Sequence, residues 1–196
     1  MVLALALMTG GCATHSKAGG GGSIAEQAHD AQLKGDWENA FQLWKQAIQA
    51  EQGLWSDPEL ATRPKLLAVY YYEAGRSAGV VGRYDEADFD LKVALRLDEK
   101  FNGPRGMDMV ELARLNHARG DNTWAIYYLR QILPRADETI GHVPEQYVAL
   151  MIEAAAVAKA TGDMNLASRL EAKAKAVSDR HPGLKPPSDW TPYKMQ

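Results

Sequence analysis

The segment Gly82–Ala87, with the sequence GRYDEA, contains the pattern from which the fold of this 196-residue chain is predicted. A glycine is followed five residues later by an alanine, and apolar residues recur at helical spacing on both sides. Glycine accepts the positive φ with which helices commonly end, and a polar residue after it can cap the next helix. Alanine lets two helix backbones approach closely. The segment therefore predicts a turn between two packed helices.

The same pattern occurs four times along the chain. The copies are Gly35–Ala40 (GDWENA), Gly82–Ala87, Gly120–Ala125 (GDNTWA) and Gly162–Ala167 (GDMNLA). Four copies in phase predict a repeat protein of eight helices in four hairpins. Pro and Gly residues in the stretches 53–64, 101–106 and 134–144 predict breaks between successive hairpins.

The second copy resembles the tetratricopeptide repeat (TPR) most closely. The positions that carry the likeness are Tyr71, Gly75, Ala78, Gly82, Tyr84, Ala87, Leu91, Ala94 and Leu95. The resemblance implies an all-α fold, a TPR-like α-α superhelix (α-solenoid) of about four helical hairpins, over residues 24–180. It also implies a binding module and not an enzyme. In the fourth copy Glu171 replaces a large apolar residue, which is typical of a capping repeat.

The N-terminus resembles the signal peptide of a bacterial lipoprotein. An apolar stretch, Val2–Met8, and two glycines precede Cys12, the single cysteine. The resemblance implies that residues 1–11 are removed and that Cys12 carries the lipid. Ala13 follows where an inner-membrane retention signal has Asp, which favours the outer membrane and a periplasm-facing position. Residues 12–23 then form a flexible Gly-rich tether. The alternative is an apolar N-terminal segment with a free thiol.

The last segment, residues 181–196, is rich in proline and predicts an extended tail or a docked strap. Trp190 is expected to pack on the last helix, and a disordered tail is the alternative.

Composition and motifs exclude several classes of function. The net charge of −3 provides no basic field for nucleic acid. The five histidines show no metal-binding spacing, and no nucleophile elbow, P-loop or dinucleotide fingerprint occurs, so no metal or other cofactor is expected. The carboxylate pairs Asp85/Glu86, Asp88/Asp90 and Asp98/Glu99 are expected on solvated helix surfaces.

A binding groove is predicted by the TPR resemblance, on the first helix of each hairpin. The projected positions are His29, Gln32, Val69, Tyr72, Arg76, Arg114, His117 and Lys159, with Tyr72, Arg76, Arg114 and His117 at the centre. Arg76 and Arg114 could bind a partner's carboxylate through forked hydrogen bonds. The alternative is that both arginines form salt bridges to neighbouring helices.

The leading functional hypothesis is a lipid-anchored adaptor that binds a protein or peptide in the bacterial envelope and supports an envelope, secretion or pilus assembly. One alternative is a structural lipoprotein that associates with itself through aromatics such as Trp55 or Trp190. The others are a cytoplasmic TPR adaptor and an accessory subunit of an enzyme.

Overall fold

A computed structural model describes residues 21–52, 63–185 and 190–193. Cys12, the predicted signal peptide and most of the predicted tether lie outside the described residues, as does Trp55.

The described part of the chain is helical and contains no strand. Its helices are Gly21–Leu33 (α1), Trp37–Gln52 (α2), Arg63–Val81 (α3), Tyr84–Phe101 (α4), Arg105–Ala118 (α5), Asn122–Ile132 (α6), Ala136–Thr139 (α7), Pro144–Ala160 (α8) and Met164–Arg180 (α9), with a 3-10 turn at Leu133–Arg135. Eight of them form the hairpins α1/α2, α3/α4, α5/α6 and α8/α9, and successive hairpins pack through α2 on α3, α4 on α5 and α6 on α8. The predicted all-α fold of four helical hairpins is confirmed.

Each hairpin turns at its repeat glycine. Gly35, Gly82, Gly120 and Gly162 have φ values of 76°, 86°, 81° and 81°. The residue after each glycine donates its N–H to a carbonyl five positions earlier, for example Arg83 to Ala78 at 2.8 Å and Asp163 to Ala158 at 2.8 Å. This is the Schellman arrangement, which satisfies carbonyls at the end of the first helix. The four alanines that end the motifs are fully buried.

The caps of the second helices differ among the copies. Asp121 accepts a hydrogen bond from the Trp124 N–H, and Asp163 accepts one from the Leu166 N–H. Arg83 stands at the equivalent position of the second copy and makes no side-chain cap. Its guanidinium instead pairs with Glu38 of α2 at 2.6 Å. In the second copy, the residue at the cap position therefore connects two neighbouring hairpins and does not cap helix α4.

Two predicted boundaries are wrong. Helix α1 begins at Gly21, inside the predicted tether, and Gly21 is buried, with an added Cβ lying 3.2 Å from the Ala47 carbonyl oxygen. Helix α3 begins at Arg63, inside the predicted loop, and Arg63 pairs with Glu51 of α2 at 3.3 Å. The stretch 134–144 does break the repeat, but it contains α7, whose Ala136 is fully buried.

Two carboxylates expected on solvated surfaces are buried. Asp90 is inaccessible and pairs with Lys45 of α2 at 2.7 Å. Asp98 is 5% exposed and neighbours Asp108 of α5, which is 1% exposed. Asp90 faces the preceding hairpin, where Lys45 lies, and Asp98 faces the next one, where Asp108 lies. None of the described helices is long and apolar enough to cross a membrane.

Candidate functional site

Helices α3 and α5 form a surface, here called the groove face, on which Arg76 and Arg114 lie together with a segment from the far end of the chain. Each arginine is held by a glutamate one turn earlier in its own helix. Arg114 donates to both carboxylate oxygens of Glu111, at 2.7 and 2.9 Å. Arg76 donates to Glu73 at 2.9 Å. Both arginines are buried, with 4% and 8% of their surfaces exposed.

The charged state of both arginines is stabilised inside the groove face. Burial works to lower the pKa of Arg114, but the neighbouring Glu111 carboxylate outweighs it and raises this pKa above its ordinary value. The pKa of Arg76 is raised in the same way, with burial opposed by Glu73. A buried cation of this kind can direct its remaining N–H groups to an oxygen of a ligand.

Such an oxygen is already present. Arg114 Nη2 donates a hydrogen bond of 2.7 Å to the main-chain carbonyl of Thr191. The Trp190 ring lies over the same guanidinium, with its centroid 4.3 Å from Arg114 Cζ. Arginine attracts an aromatic face electrostatically, and more strongly when water is excluded. Arg114 therefore binds both the backbone and a side chain of the segment 190–193.

Tyr193 is the deepest residue of that segment. Its hydroxyl donates to Glu111 Oε2 at 2.5 Å, and its ring centroid is 5.0 Å from Arg114 Cζ. Burial and the Glu111 carboxylate raise the pKa of Tyr193 well above its usual value, so the hydroxyl stays protonated and donates. Glu111 accordingly accepts from an arginine and from a phenol at the same time.

Gly79 of α3 provides the space for the tyrosine ring. A Cβ at this position would lie 2.7 Å from Tyr193 Cε1 and 2.9 Å from Cζ. Side chains essentially never approach so closely, so any other residue would displace the ring. The absence of a side chain at Gly79 is thus a feature of the site.

The other two central residues of the predicted groove lie at its edges. Tyr72 is half-buried, and its ring lies 5.6 Å from Arg76 Cζ. His117 is half-buried and shares a 2.7 Å hydrogen bond between Nδ1 and Asn122 Oδ1. Glu153 of α8 also lies near His117 and Arg114; burial raises its pKa, while the two neighbours oppose this.

The other predicted groove positions, which are His29, Gln32, Val69 and Lys159, have fewer contacts with Arg76 and Arg114. Gln32 donates to Glu73 at 2.9 Å, and so connects α1 to the Arg76 pair. Val69 is 38% exposed and His29 is half-buried. Lys159 is exposed and pairs with Glu171 of α9. The structure therefore gathers Arg76, Arg114 and, around them, Tyr72 and His117, and it leaves Lys159 in a separate surface pair.

Sequence reasoning missed the partners of the arginines and the segment that covers them. The missed residues are Glu73, Gly79, Glu111, Glu153, Thr191 and Tyr193. A signal for the glutamates was present, because Glu73, Glu111 and Glu153 each stand nine residues before their repeat glycine. Arg76 and Arg114 each stand six before theirs, so the same Glu–Arg spacing recurs in two copies. Trp190, which was expected to pack on the last helix, lies over the guanidinium of Arg114 in α5.

Two solved structures share this fold. The crystal structure of BtubC (BKLC) from P. vanneervenii matches with a TM-score of 0.71 and 18% identity, over 85% of this chain and 66% of that one. This chain therefore spans just under two thirds of that protein. A putative kinesin light chain from Podosopora anserina with nearly identical TPR-like repeats matches with a TM-score of 0.60 and 23% identity, over 82% of this chain and 76% of that one. Neither a family profile nor a curated protein matches the sequence. These likenesses show the TPR-like fold.

Proposed function

We propose that this chain is an adaptor that binds an extended segment of a partner protein on its groove face. The observation that carries the proposal is the seating of Trp190–Tyr193, in which a buried arginine binds a main-chain carbonyl. A carbonyl is common to every polypeptide, so this contact recognises a main chain, while Glu111 and Gly79 accommodate the side chain of Tyr193.

Exposed apolar side chains lie on the first helices of three hairpins and add contact area for a partner. Val69 of α3 and Met107 of α5 are 38% and 45% exposed, and they stand at equivalent positions of their repeats. Ile152 of α8 is exposed at the position equivalent to Tyr72. Apolar surface around a few directed polar contacts is the usual composition of a peptide-binding site.

The adaptor is further proposed to be anchored by a lipid on Cys12 in the bacterial outer membrane, facing the periplasm. The support is the apolar stretch and small residues before Cys12. Several acyl chains on one cysteine bind a membrane far more firmly than a single chain does. Its partner is then a component of an envelope, secretion or pilus assembly.

Site-directed crosslinking in cells of the native host tests both parts of the proposal. A photoreactive amino acid at Val69 is expected to capture a defined set of envelope proteins. The matched control is the same group at Phe89 of α4, which is more exposed than Val69 but lies on a second helix. Capture of the same proteins from both positions would refute the groove face.

Cys12→Ser tests the anchor in the same cells. We expect labelled palmitate to enter the wild-type chain but not the variant, and the captured envelope proteins to be lost with the anchor. Unchanged capture of cytoplasmic proteins by Cys12→Ser would show that the chain is a cytoplasmic TPR adaptor.

Self-association is a second candidate, and one observation favours it. Trp124 and Tyr127 of α6 are 51% and 52% exposed and stack edge to face at 5.2 Å. Exposed, clustered aromatics are typical of contacts between proteins. Measuring the molecular mass at two concentrations, for the wild type and for Trp124→Ala/Tyr127→Ala, decides this candidate. A constant monomer mass for the wild type would eliminate it.

A further inference from the structure

We infer that Trp190–Tyr193 is a built-in ligand of the groove face, and that the partner presents the same chemistry and competes with it. The partner's segment is extended and has three features in order. The first is an aromatic residue, as at Trp190; the second is a main-chain carbonyl at the next residue that is free to accept a hydrogen bond, as at Thr191. The third is a tyrosine two residues further on, as at Tyr193. The inference rests on the proposed function, because it names the class of segment that the adaptor binds.

The contacts of this segment are directed in the manner of a ligand. Arg114 holds the Trp190 ring and the Thr191 carbonyl, and Glu111 holds the Tyr193 hydroxyl. The three contacts require three different features of a ligand: an aromatic ring, a carbonyl oxygen and a hydroxyl group. Replacing tyrosine by phenylalanine removes a donor from a buried carboxylate, which is the kind of change that strongly discriminates between ligands.

The shape of the site restricts the ligand further. Gly79 leaves room for a planar ring, and the ring fills that room so closely that one added carbon would collide with it. Pro192 is exposed between the two anchors and has no N–H to satisfy. Its fixed φ favours the extended form and lowers the entropy lost when the segment binds.

Competition follows from the covalent connection. A segment joined to the protein meets the groove face at an effective concentration that reaches millimolar values for short connections. The apparent affinity for a second segment equals the intrinsic affinity multiplied by the fraction of molecules whose site is open. The full chain is therefore expected to bind a partner weakly until its own segment leaves, which sets a threshold on partner concentration.

The test uses full-length chains and a fluorescent synthetic peptide, N-terminally acetylated, with the sequence of residues 188–196. Trp190→Ala/Tyr193→Ala empties the site while leaving the groove face intact. Fluorescence anisotropy is expected to show that the emptied variant binds the peptide about tenfold or more tightly than the wild type. Phenylalanine in place of tyrosine in the peptide is expected to weaken binding to the emptied variant about tenfold.

Gly79→Ala supplies the matched control. Added to the emptied variant, it places a methyl group where the peptide's tyrosine ring must lie, and binding is expected to disappear. Circular dichroism and thermal unfolding establish that each variant is folded, since alanine at a helical position does not oppose the helix. Equal affinity of the wild type and the emptied variant would overturn the inference, as would binding that survives Gly79→Ala.

The outcomes separate this inference from the proposed function. If Val69 captures partners while the emptied variant ignores the peptide, the adaptor function stands and the inference about the ligand is wrong. If the peptide binds as expected but Val69 captures no more than Phe89, the proposed function is wrong, and the claim about the partner is lost with it.

Discussion

Arg114 and Thr191 are 77 residues apart in the sequence, and yet Arg114 Nη2 lies 2.7 Å from the Thr191 carbonyl oxygen. The helix that carries Arg114 belongs to the third hairpin, whereas Thr191 follows the last one. The same guanidinium is paired with Glu111, so one buried side chain connects a helix surface to the end of the chain.

Breaking the Arg114–Glu111 pair is expected to destabilise the protein strongly. Arg114→Met leaves a buried carboxylate without its cation, a change that typically costs about 3–5 kcal/mol. Arg114→Met/Glu111→Leu removes both charges and is expected to recover part of that loss, because the buried Tyr193 hydroxyl then lacks its acceptor. Urea unfolding of the two variants provides the measurement. A double variant as unstable as the single one would contradict the expectation, and Lys175→Met, in an exposed pair, should change little.

Gly79→Ala is expected to have opposite effects depending on Tyr193. With tyrosine present the new methyl group collides with its ring. In the Tyr193→Ala background the collision is absent, and alanine should stabilise helix α3 by about 1 kcal/mol relative to glycine. A double-mutant cycle on the free energy of unfolding measures the coupling. The same effect of Gly79→Ala in both backgrounds would show that Tyr193 does not occupy this position.

Gly120→Ala is expected to destabilise the third hairpin. Its φ of +81° costs a residue with a Cβ about 1–2 kcal/mol. Gly106→Ala is the control, because Gly106 lies in α5 and a Cβ there meets nothing within 4 Å. That substitution should stabilise the protein by about 0.4–1 kcal/mol. Thermal unfolding of the two variants should therefore move in opposite directions, and a shift in the same direction would contradict the turn geometry.

The buried pair Asp98 and Asp108 is expected to make stability depend on pH. Burial, together with the charge of Asp98, raises the pKa of Asp108 to about 8. Because the folded-state pKa lies above the unfolded value near 4, the folded protein binds more protons between these values. The stability that Asp108 contributes is therefore fully present below about pH 4 and is lost as the pH rises towards 8.

Asp108→Asn is expected to remove this dependence. As the pH rises from 5 to 8, the unfolding free energy of the variant should increase relative to that of the wild type by up to about 1.4 kcal/mol per pH unit. Taking the difference cancels the contributions of exposed carboxyl groups such as Asp137, whose pKa is lowered by Tyr147 and Lys173. A difference that stays constant with pH would contradict the raised pKa.

Much of the fold was predictable because the repeat is local. Gly82 and Ala87 lie five residues apart, and each determines something about its own turn: the positive φ of the glycine and the close helix contact at the alanine. The same physical requirement recurs in each hairpin, so the pattern identified four hairpins without knowledge of their packing. The lipid on Cys12 and the outer-membrane position stay predictions.

The positions of the two arginines could also be predicted from the sequence, whereas their role in binding stays a prediction. The repeat register placed Arg76 and Arg114 on the first helices, and both lie on the groove face. Their buried state, however, depends on which surfaces come to cover them. Asp90 and Asp98 show the same limit, since nothing local distinguishes them from exposed carboxylates on the same helices.

The helical hairpins, their number and their turns follow from the local sequence, because they depend on residues that are close together in the chain. The positions of Trp190 on Arg114, of Tyr193 on Glu111 and of the tyrosine ring against Gly79 follow from long-range packing. Those contacts join residues about 80 to 115 positions apart, and their energies come from desolvation, charge pairing and shape, which arise only when distant parts of the chain meet.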